Sequence, residues 1–320
     1  MKKWSISAHN CFTSCQRKYF FRYIMAHHNA KDPLRREAYL ASQLSSVAAW
    51  KGKLVHSALE TYFVPSLQQN NLISNEELTQ KTLALGEQQF EFSQQKQYRQ
   101  AGVTKTKAAG KYLALKIHER NVDESDAVER VFDEIGQCYQ NLYNNQKFID
   151  FLLDRADWYE TEFRLSFKHN GVTIVGQPDV LVGYSNSLEG AIASECDTDK
   201  PLHKICIIDW KTGKNPNSDY STQLYIYALS VTNSHRWSDY NLSDLLLVEA
   251  SLYQNKFNKL SIDRLQKTKI ENFINSSISN IEAVTDDHKY NLSKLKNYSY
   301  TENPAYCQYC NFESICKKLP

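Results

Sequence analysis

Lys204-Ile205-Cys206-Ile207-Ile208-Asp209-Trp210-Lys211-Thr212-Gly213 is a short apolar, β-branched run that ends in charge. Runs of that length and composition form buried central strands. Side chains at i and i+2 leave the same face of an extended chain, so Asp209 and Lys211 point together. About thirty residues upstream, Gly176-Gln177-Pro178-Asp179-Val180 carries a second acid. If a neighbouring strand delivers Asp179 to the same place, two carboxylates and one ammonium share a small volume. That grouping favours a divalent cation held by the acids, with the lysine left to orient or activate water and to neutralise charge building on a phosphate. An isolated Asp-x-Lys is more often a solvated strand end. Here the apolar run before it sets the charges at a sheet edge or cleft.

Working outward, Trp158 to Lys168 alternates and Val172 to Val182 is β-rich, with Asn170-Gly171 as a turn signal between them. Asp244 to Tyr253 supplies another strand, and Ser185 to Leu202 reads as a loop. Helical stretches are expected at 5–30, 50–65, about 218–230 and 262–284. Residues 75–155, rich in Gln, Glu, Lys and Ala, suggest a helical insertion. His56 lies among Leu54, Val55, Ala58 and Leu59, so its imidazole either packs in a core or faces the carboxylates. Gln223 and Tyr227 are four apart on a helix and share one face, where an amide and a phenol can bond a phosphate or a base edge. Glu162 precedes the Asp179 strand and is either an outer contact of the site or a surface residue.

The C-terminus reads Cys307-x2-Cys310-x5-Cys316, three thiolates where a closed metal or iron-sulfur site usually takes four. The fourth must come from elsewhere. Cys11 and Cys15, four apart near the N-terminus, are both candidates. Cys138, Cys196 and Cys206 lack partner spacing and read as small buried hydrophobes.

In motif order the chain resembles the PD-(D/E)XK nuclease superfamily, in its RecB-like branch with C-terminal iron-sulfur cysteines, including AddB-type and CRISPR-associated exonucleases. The residues carrying the likeness are Gly52 to Glu60 around His56, Pro178-Asp179, Asp209-Trp210-Lys211 and the Gln-x-x-x-Tyr of Gln223 and Tyr227. The likeness runs from Ser5 to Cys316 but leaves the helical middle unmatched. It implies an α/β, restriction-endonuclease-like core, with a central mixed sheet flanked by helices and an iron-sulfur staple joining the termini. The expected divisions are 1–65, 66–155, 156–285 and 286–320. It implies that His56, Asp179, Asp209 and the Trp210 carbonyl hold Mg or Mn, one ion or two. Asp179, Asp209 and Lys211 would then hydrolyse a DNA phosphodiester, and Gln223 and Tyr227 would position the DNA. It implies Cys15 as the fourth ligand, with Cys307, Cys310 and Cys316, of a 4Fe-4S cluster; zinc is the rival occupant.

The expected activity is an exonuclease on DNA ends, single strands favoured, in repair, recombination, phage or defence processing, working beside a separate helicase or other partner. The alternative is a DNA-binding or assembly subunit that keeps the fold and the metal-thiolate staple with little catalysis. Thr212-Gly213-Lys214-Asn215 lacks the upstream glycine and following hydroxyl of a P-loop, so no ATP motor is encoded. A chain of 320 residues with 42% hydrophobic content can bury a large core. No apolar segment follows Met1-Lys2-Lys3-Trp4-Ser5 and none has transmembrane length, so a cytoplasmic protein with reduced or metal-bound thiols is expected. A net charge of +2 says little about partners. Two local clusters say more: Lys105, Lys107, Lys111, Lys116 and Arg120 on an expected helix, and Arg17, Lys18, Arg22, Arg35 and Arg36 among aromatics. Each is either a solvated face or a nucleic-acid surface.

Overall fold

The computed structural model describes residues 1–120, 124–184, 204–215, 220–285 and 294–319. Among these, the strands are β1 (Lys3–Trp4), β2 (Trp158–Thr161), β3 (Leu165–His169), β4 (Val172–Gly176), β5 (Val180–Gly183), β6 (Ile205–Lys211), β7 (Leu245–Ser251) and β8 (Lys256–Leu260). They make two mixed sheets, one ordered β1-β4-β3 and one ordered β2-β5-β6-β7-β8. Helices flank both, giving the mixed α/β architecture of a restriction-endonuclease-like fold.

The charged end of β6 explains itself through side-chain alternation. Ile205 and Ile207 pack with Leu181, Leu245 and Leu247 against the helices Ser221–Thr232 and Arg264–Val284. Cys206, Ile208 and Trp210 pack with Val180, Val182, Val248 and Ala250 on the opposite face, under Val47–Ala58, Ser125–Asn144 and Gln146–Arg155. A strand buried on both sides has to be apolar throughout, as this one is until Asp209. Period-two alternation then turns Asp209 and Lys211 toward the Ser221–Thr232 helix.

The two strands expected on either side of Asn170-Gly171 are one hairpin that crosses between the sheets. Asn170 and Gly171 both have positive φ, 47° and 80°, as a two-residue turn of the primed kind requires. Leu165 pairs with Gly176 in one sheet and Thr161 with Val180 in the other, and these pairs have the same register. The ladder breaks between them. There Glu162 adopts φ 49°, its amide donates to the Asp179 carbonyl at 3.0 Å, and the chain passes through Gln177-Pro178-Asp179. Trp158 to Lys168 is therefore two strands rather than one. Carrying the register through the gap sets Glu162 opposite Asp179.

The Val47–Ala58 helix starts at Ser46, whose hydroxyl accepts from the Ala49 amide, and continues into a π-helical turn at Leu59–Phe63. Its Lys51 is buried and paired with Glu134 of Ser125–Asn144 at 2.7 Å; Glu134 also takes Lys214 from the loop after β6 at 2.5 Å. This triad ties the His56 helix to the end of β6. Residues 75–155 are less helical than their composition suggests. After Asn75–Gln94, positive φ at Lys96, Gly102, Ala109 and Gly110 keeps most of 97–115 in turns, and helix resumes only at Lys116–Arg120. The lysine cluster at 105–116 thus sits mainly on a loop. The expected loop from Ser185 to Leu202 and Cys196 lie outside the described residues, as does the start of the helix expected from 218.

Candidate active site

The bend in the hairpin, the end of β6 and two helices converge on one group of polar side chains. His56 Nδ1 lies 3.0 Å from Asp179 Oδ1, and the Trp210 amide donates to Asp179 Oδ2 at 2.6 Å. Asp179 is thereby fixed between the helix and β6. Antiparallel pairing of Val180 with Ile208, extended by one residue, sets Asp179 across from Asp209. Asp209 is 2% exposed and forms an ion pair with Lys211. The Gln223 amide donates to Asp209 Oδ1 at 3.2 Å and to the Tyr227 hydroxyl at 2.5 Å, while its Oε1 accepts from Lys211 at 3.3 Å. Lys211 also stands 4.3 Å over the Tyr220 ring.

Tyr227 reaches this group because residue 176 is glycine. A Cβ there would lie 2.8 Å from the Tyr227 ring, inside van der Waals contact. The ring therefore lies directly on β4 and carries its hydroxyl to Gln223.

Among the described residues, one group of three side chains brings ligand atoms within 4.8 Å of one another: His56, Glu162 and Asp179. Two carboxylate oxygens and an imidazole nitrogen suit Mg or Mn. Asp209 is adjacent but turned to Lys211 and Gln223. Glu162 is the residue whose place the sequence left open, and its carboxylate is held by the Gln177 amide at 2.7 Å. Its position could have been counted from the turn, because Glu162 and Asp179 are equally far from Asn170-Gly171. Glu60, one helical turn after His56, is a further carboxylate near the site that the residue pattern does not single out, and burial, then the Asp179 charge, raises it.

The electrostatics mark a site short of positive charge. Burial, then the Asp179 and Glu60 charges, push the Glu162 carboxyl up to about 7, against His56 and the Gln177 hydrogen bond. Burial raises Asp209 to about 6 despite Lys211. His56 is pulled down by burial, but the Asp179 hydrogen bond and the nearby carboxylates outweigh it and leave it raised. Burial also raises Tyr227, so the phenol keeps its proton. Carboxyls crowded together and held above their ordinary range are what a cation site looks like before a cation offsets the repulsion.

The cysteines are arranged differently. Cys15, Cys307, Cys310 and Cys316 all line a cavity of about 1280 Å³ between the N-terminal helices and the C-terminal segment. Arg17 fastens its two sides. It is buried, donates to the carbonyls of Tyr298 and Leu319 at 3.4 and 3.1 Å, covers Tyr300 at 3.8 Å and lies near enough to Cys316 for its charge to act on the thiol. Arg17 is thus a structural clasp and not part of a free basic face. Cys11 packs in the core instead, and burial raises its thiol to about 11. Cys138 and Cys206 are fully buried, as their lack of partner spacing implied.

The fold and the acid-lysine group define a nuclease of the metal-dependent class. The model of the PD-(D/E)XK nuclease superfamily matches residues 3–317, and the chain belongs to that superfamily. No curated protein matches the sequence. A solved structure described as "Crystal structure of SSO0001" is similar over 61% of this chain and 78% of its own, with 16% identity and a TM-score of 0.26. Among the described residues, no helix is long and apolar enough to cross a membrane.

Proposed function

We propose that this protein is a Mg- or Mn-dependent deoxyribonuclease of the RecB-like branch, an exonuclease that degrades DNA from its ends and favours single strands. The observation that carries the hydrolytic reading is the convergence of His56, Glu162 and Asp179 beside the Asp209-Lys211-Gln223 network. When bound, the cation would polarise a phosphoryl oxygen and favour ionisation of a water. His56, Glu162 and Asp179 would hold it, with Asp209 and the Trp210 carbonyl completing its surroundings. Lys211, kept in place by Asp209 and Gln223, would neutralise charge building on the phosphate. Gln223, held by Tyr227, fixes the lysine and offers an amide to the DNA. The motif order supports the branch and, with it, the exonuclease character.

We propose also that Cys15, Cys307, Cys310 and Cys316 hold a 4Fe-4S cluster. Their cavity has room for a polynuclear group, whereas zinc would require the sulfurs drawn together to about 3.8 Å, given zinc-sulfur bonds of about 2.3 Å. Burial raises the Cys316 thiol, and the nearby Arg17 charge works against that rise, toward the thiolate that either occupant needs.

Labelled single- and double-stranded DNA incubated with the protein and Mn or Mg tests the function. Cleavage that requires the ion and disappears in Lys211→Ala is expected. Tight binding without cleavage by the unaltered protein would instead identify a DNA-binding or assembly subunit. Visible absorption of anaerobically purified protein separates a brown iron-sulfur cluster from colourless zinc.

A further inference from the structure

Three parts of the chain that are distant in sequence meet at Leu44 and Ser45. The Ser45 amide donates to Ala114 at 2.8 Å and the Lys116 amide to Ser45 at 2.9 Å, which pins the basic loop to the start of the His56 helix. Asn311, between Cys310 and Cys316, donates to the Leu44 carbonyl at 2.7 Å. Lys53 donates to the Ser45 hydroxyl at 2.6 Å. Lys53 is also three residues before His56, so the two side chains share one helix face about one turn apart.

This junction gathers cations. Lys53 is exposed, and Lys105 and Arg22 are near enough for their charges to act on it. Among the described residues, no carboxylate forms an ion pair with Lys53, Arg22 or Lys105. Surrounding protein, and after it the like charges of Lys105 and Arg22, hold the Lys53 ammonium below the ordinary lysine range. Lys105 is lowered for the same reasons, burial first and then Arg22. Lys116 lies over the ring of Tyr309, which lines the cysteine cavity, so the cations extend from the His56 helix to that cavity. Lys53, Arg22 and Lys105, like charges held together without paired acids, form a site for a polyanion, and Lys116, whose charge Glu313 and Glu124 partly offset, stands at its edge.

Aromatic rings accompany the cations. Arg22 lies 5.7 Å from the Tyr23 ring, which is 40% exposed, and Lys116 lies 5.8 Å from the Tyr309 ring, which is 72% exposed. Exposed rings next to phosphate-binding cations stack on unpaired bases, which a duplex would keep paired and out of reach. We propose that Lys53, Arg22, Lys105 and Lys116, with Tyr23 and Tyr309 as stacking platforms, form a track for single-stranded DNA running from His56 to the cysteine cavity. The track rests on the nuclease reading for its orientation, but its charge and rings make a binding claim of their own.

Fluorescence anisotropy of labelled oligo-dT, titrated in EDTA over a range of salt so that no hydrolysis occurs, tests the track. The triple variant Lys53→Gln, Lys105→Gln, Arg22→Gln should reduce the slope of log affinity against log salt by about 2, at about 0.7 per phosphate contact on a single strand. Lys269→Gln, an exposed charge on the Arg264–Val284 helix, should leave it unchanged. Tyr309→Leu should weaken oligo-dT binding by about tenfold while sparing duplex of the same length. Circular dichroism melts establish that each variant folds, and Lys53→Arg should restore the slope lost in Lys53→Gln. An unchanged slope in the folded triple variant overturns the track. If the slope falls as expected but the unaltered protein never cleaves with Mn, the track stands and the hydrolytic reading fails.

Discussion

The hairpin bend and the cysteine cavity are built on opposite plans. At the bend, Glu162 and Asp179 are opposed by the register of a local hairpin, and main-chain hydrogen bonds aim them before any ion arrives. At the cavity, residue 15 must meet residues 307–316, and the segment bearing three of the cysteines contains only the short helices Ala305–Gln308 and Glu313–Cys316. Its fastenings are side chains: Phe312 and Ile315, buried in the core, and the polar contacts of Arg17, Asn311 and Arg120, which donates to the Gln308 carbonyl at 3.1 Å. The first site is shaped by the ladder and needs an ion for chemistry. On the proposed reading, the second takes its shape from its occupant.

The contrast breaks if the two sites respond alike to mutation. Lys211→Ala should lower the cleavage rate about a thousandfold, near the upper end for loss of a preorganised charge, and move the melting temperature little. Steady-state rates with Mn and a thermal melt check both halves. Cys310→Ser should do the reverse, removing the visible absorption and costing about 3 kcal/mol or more of stability, because the binding energy of such a site is folding energy. Denaturant titration with and without reconstitution measures it, and a stable, colourless variant with normal cleavage would collapse the distinction.

Glu134→Gln sharpens the comparison from outside both sites. It leaves buried Lys51 without its carboxylate and should cost about 3 kcal/mol, read by urea unfolding. Glu162→Gln should weaken Mn binding by about tenfold or more with the fold intact, as calorimetry would report. If binding is unaffected, the ligand set is His56, Asp179 and Asp209.

The smallest effect concerns protons. Glu162 is raised to about 7, so it holds its proton up to near neutrality in the ion-free protein, and His56 is shifted in the same direction. The proton-stabilised part of the folded state is fully present below the unfolded values and is lost as pH rises through the folded ones. A divalent ion must displace the same protons. Mn affinity should therefore climb between about pH 6 and 8, with proton release visible in calorimetry across buffers of different ionisation enthalpy.

Much of this was legible in the residues. The β6 run, the Asn170-Gly171 turn, the Arg264–Val284 helix and the placement of Gln223 and Tyr227 follow from periodicity, because both faces of β6 are covered and the turn needs positive φ. The loop at 97–115 was not legible from helix-favouring composition, since a few left-handed residues override it. Glu162 was legible only as one of two possibilities. A strand pattern does not reveal where a hairpin leaves one sheet for another, and that departure is what gives the carboxylate its role. The meeting of Lys53 with the basic loop depends on tertiary contacts at Ser45 that no local pattern encodes.

Equal spacing of Glu162 and Asp179 from the tip makes the hairpin a ruler, with a consequence for how this enzyme can change. Residues added at the Asn170-Gly171 tip only lengthen a loop. One residue inserted into a single arm slides the pairing by a step and turns every side chain beyond it to the opposite face. Viable descendants should therefore vary in length at the tip, or in both arms together, and a library of single-residue insertions scanned from 163 to 178 would trace that rule.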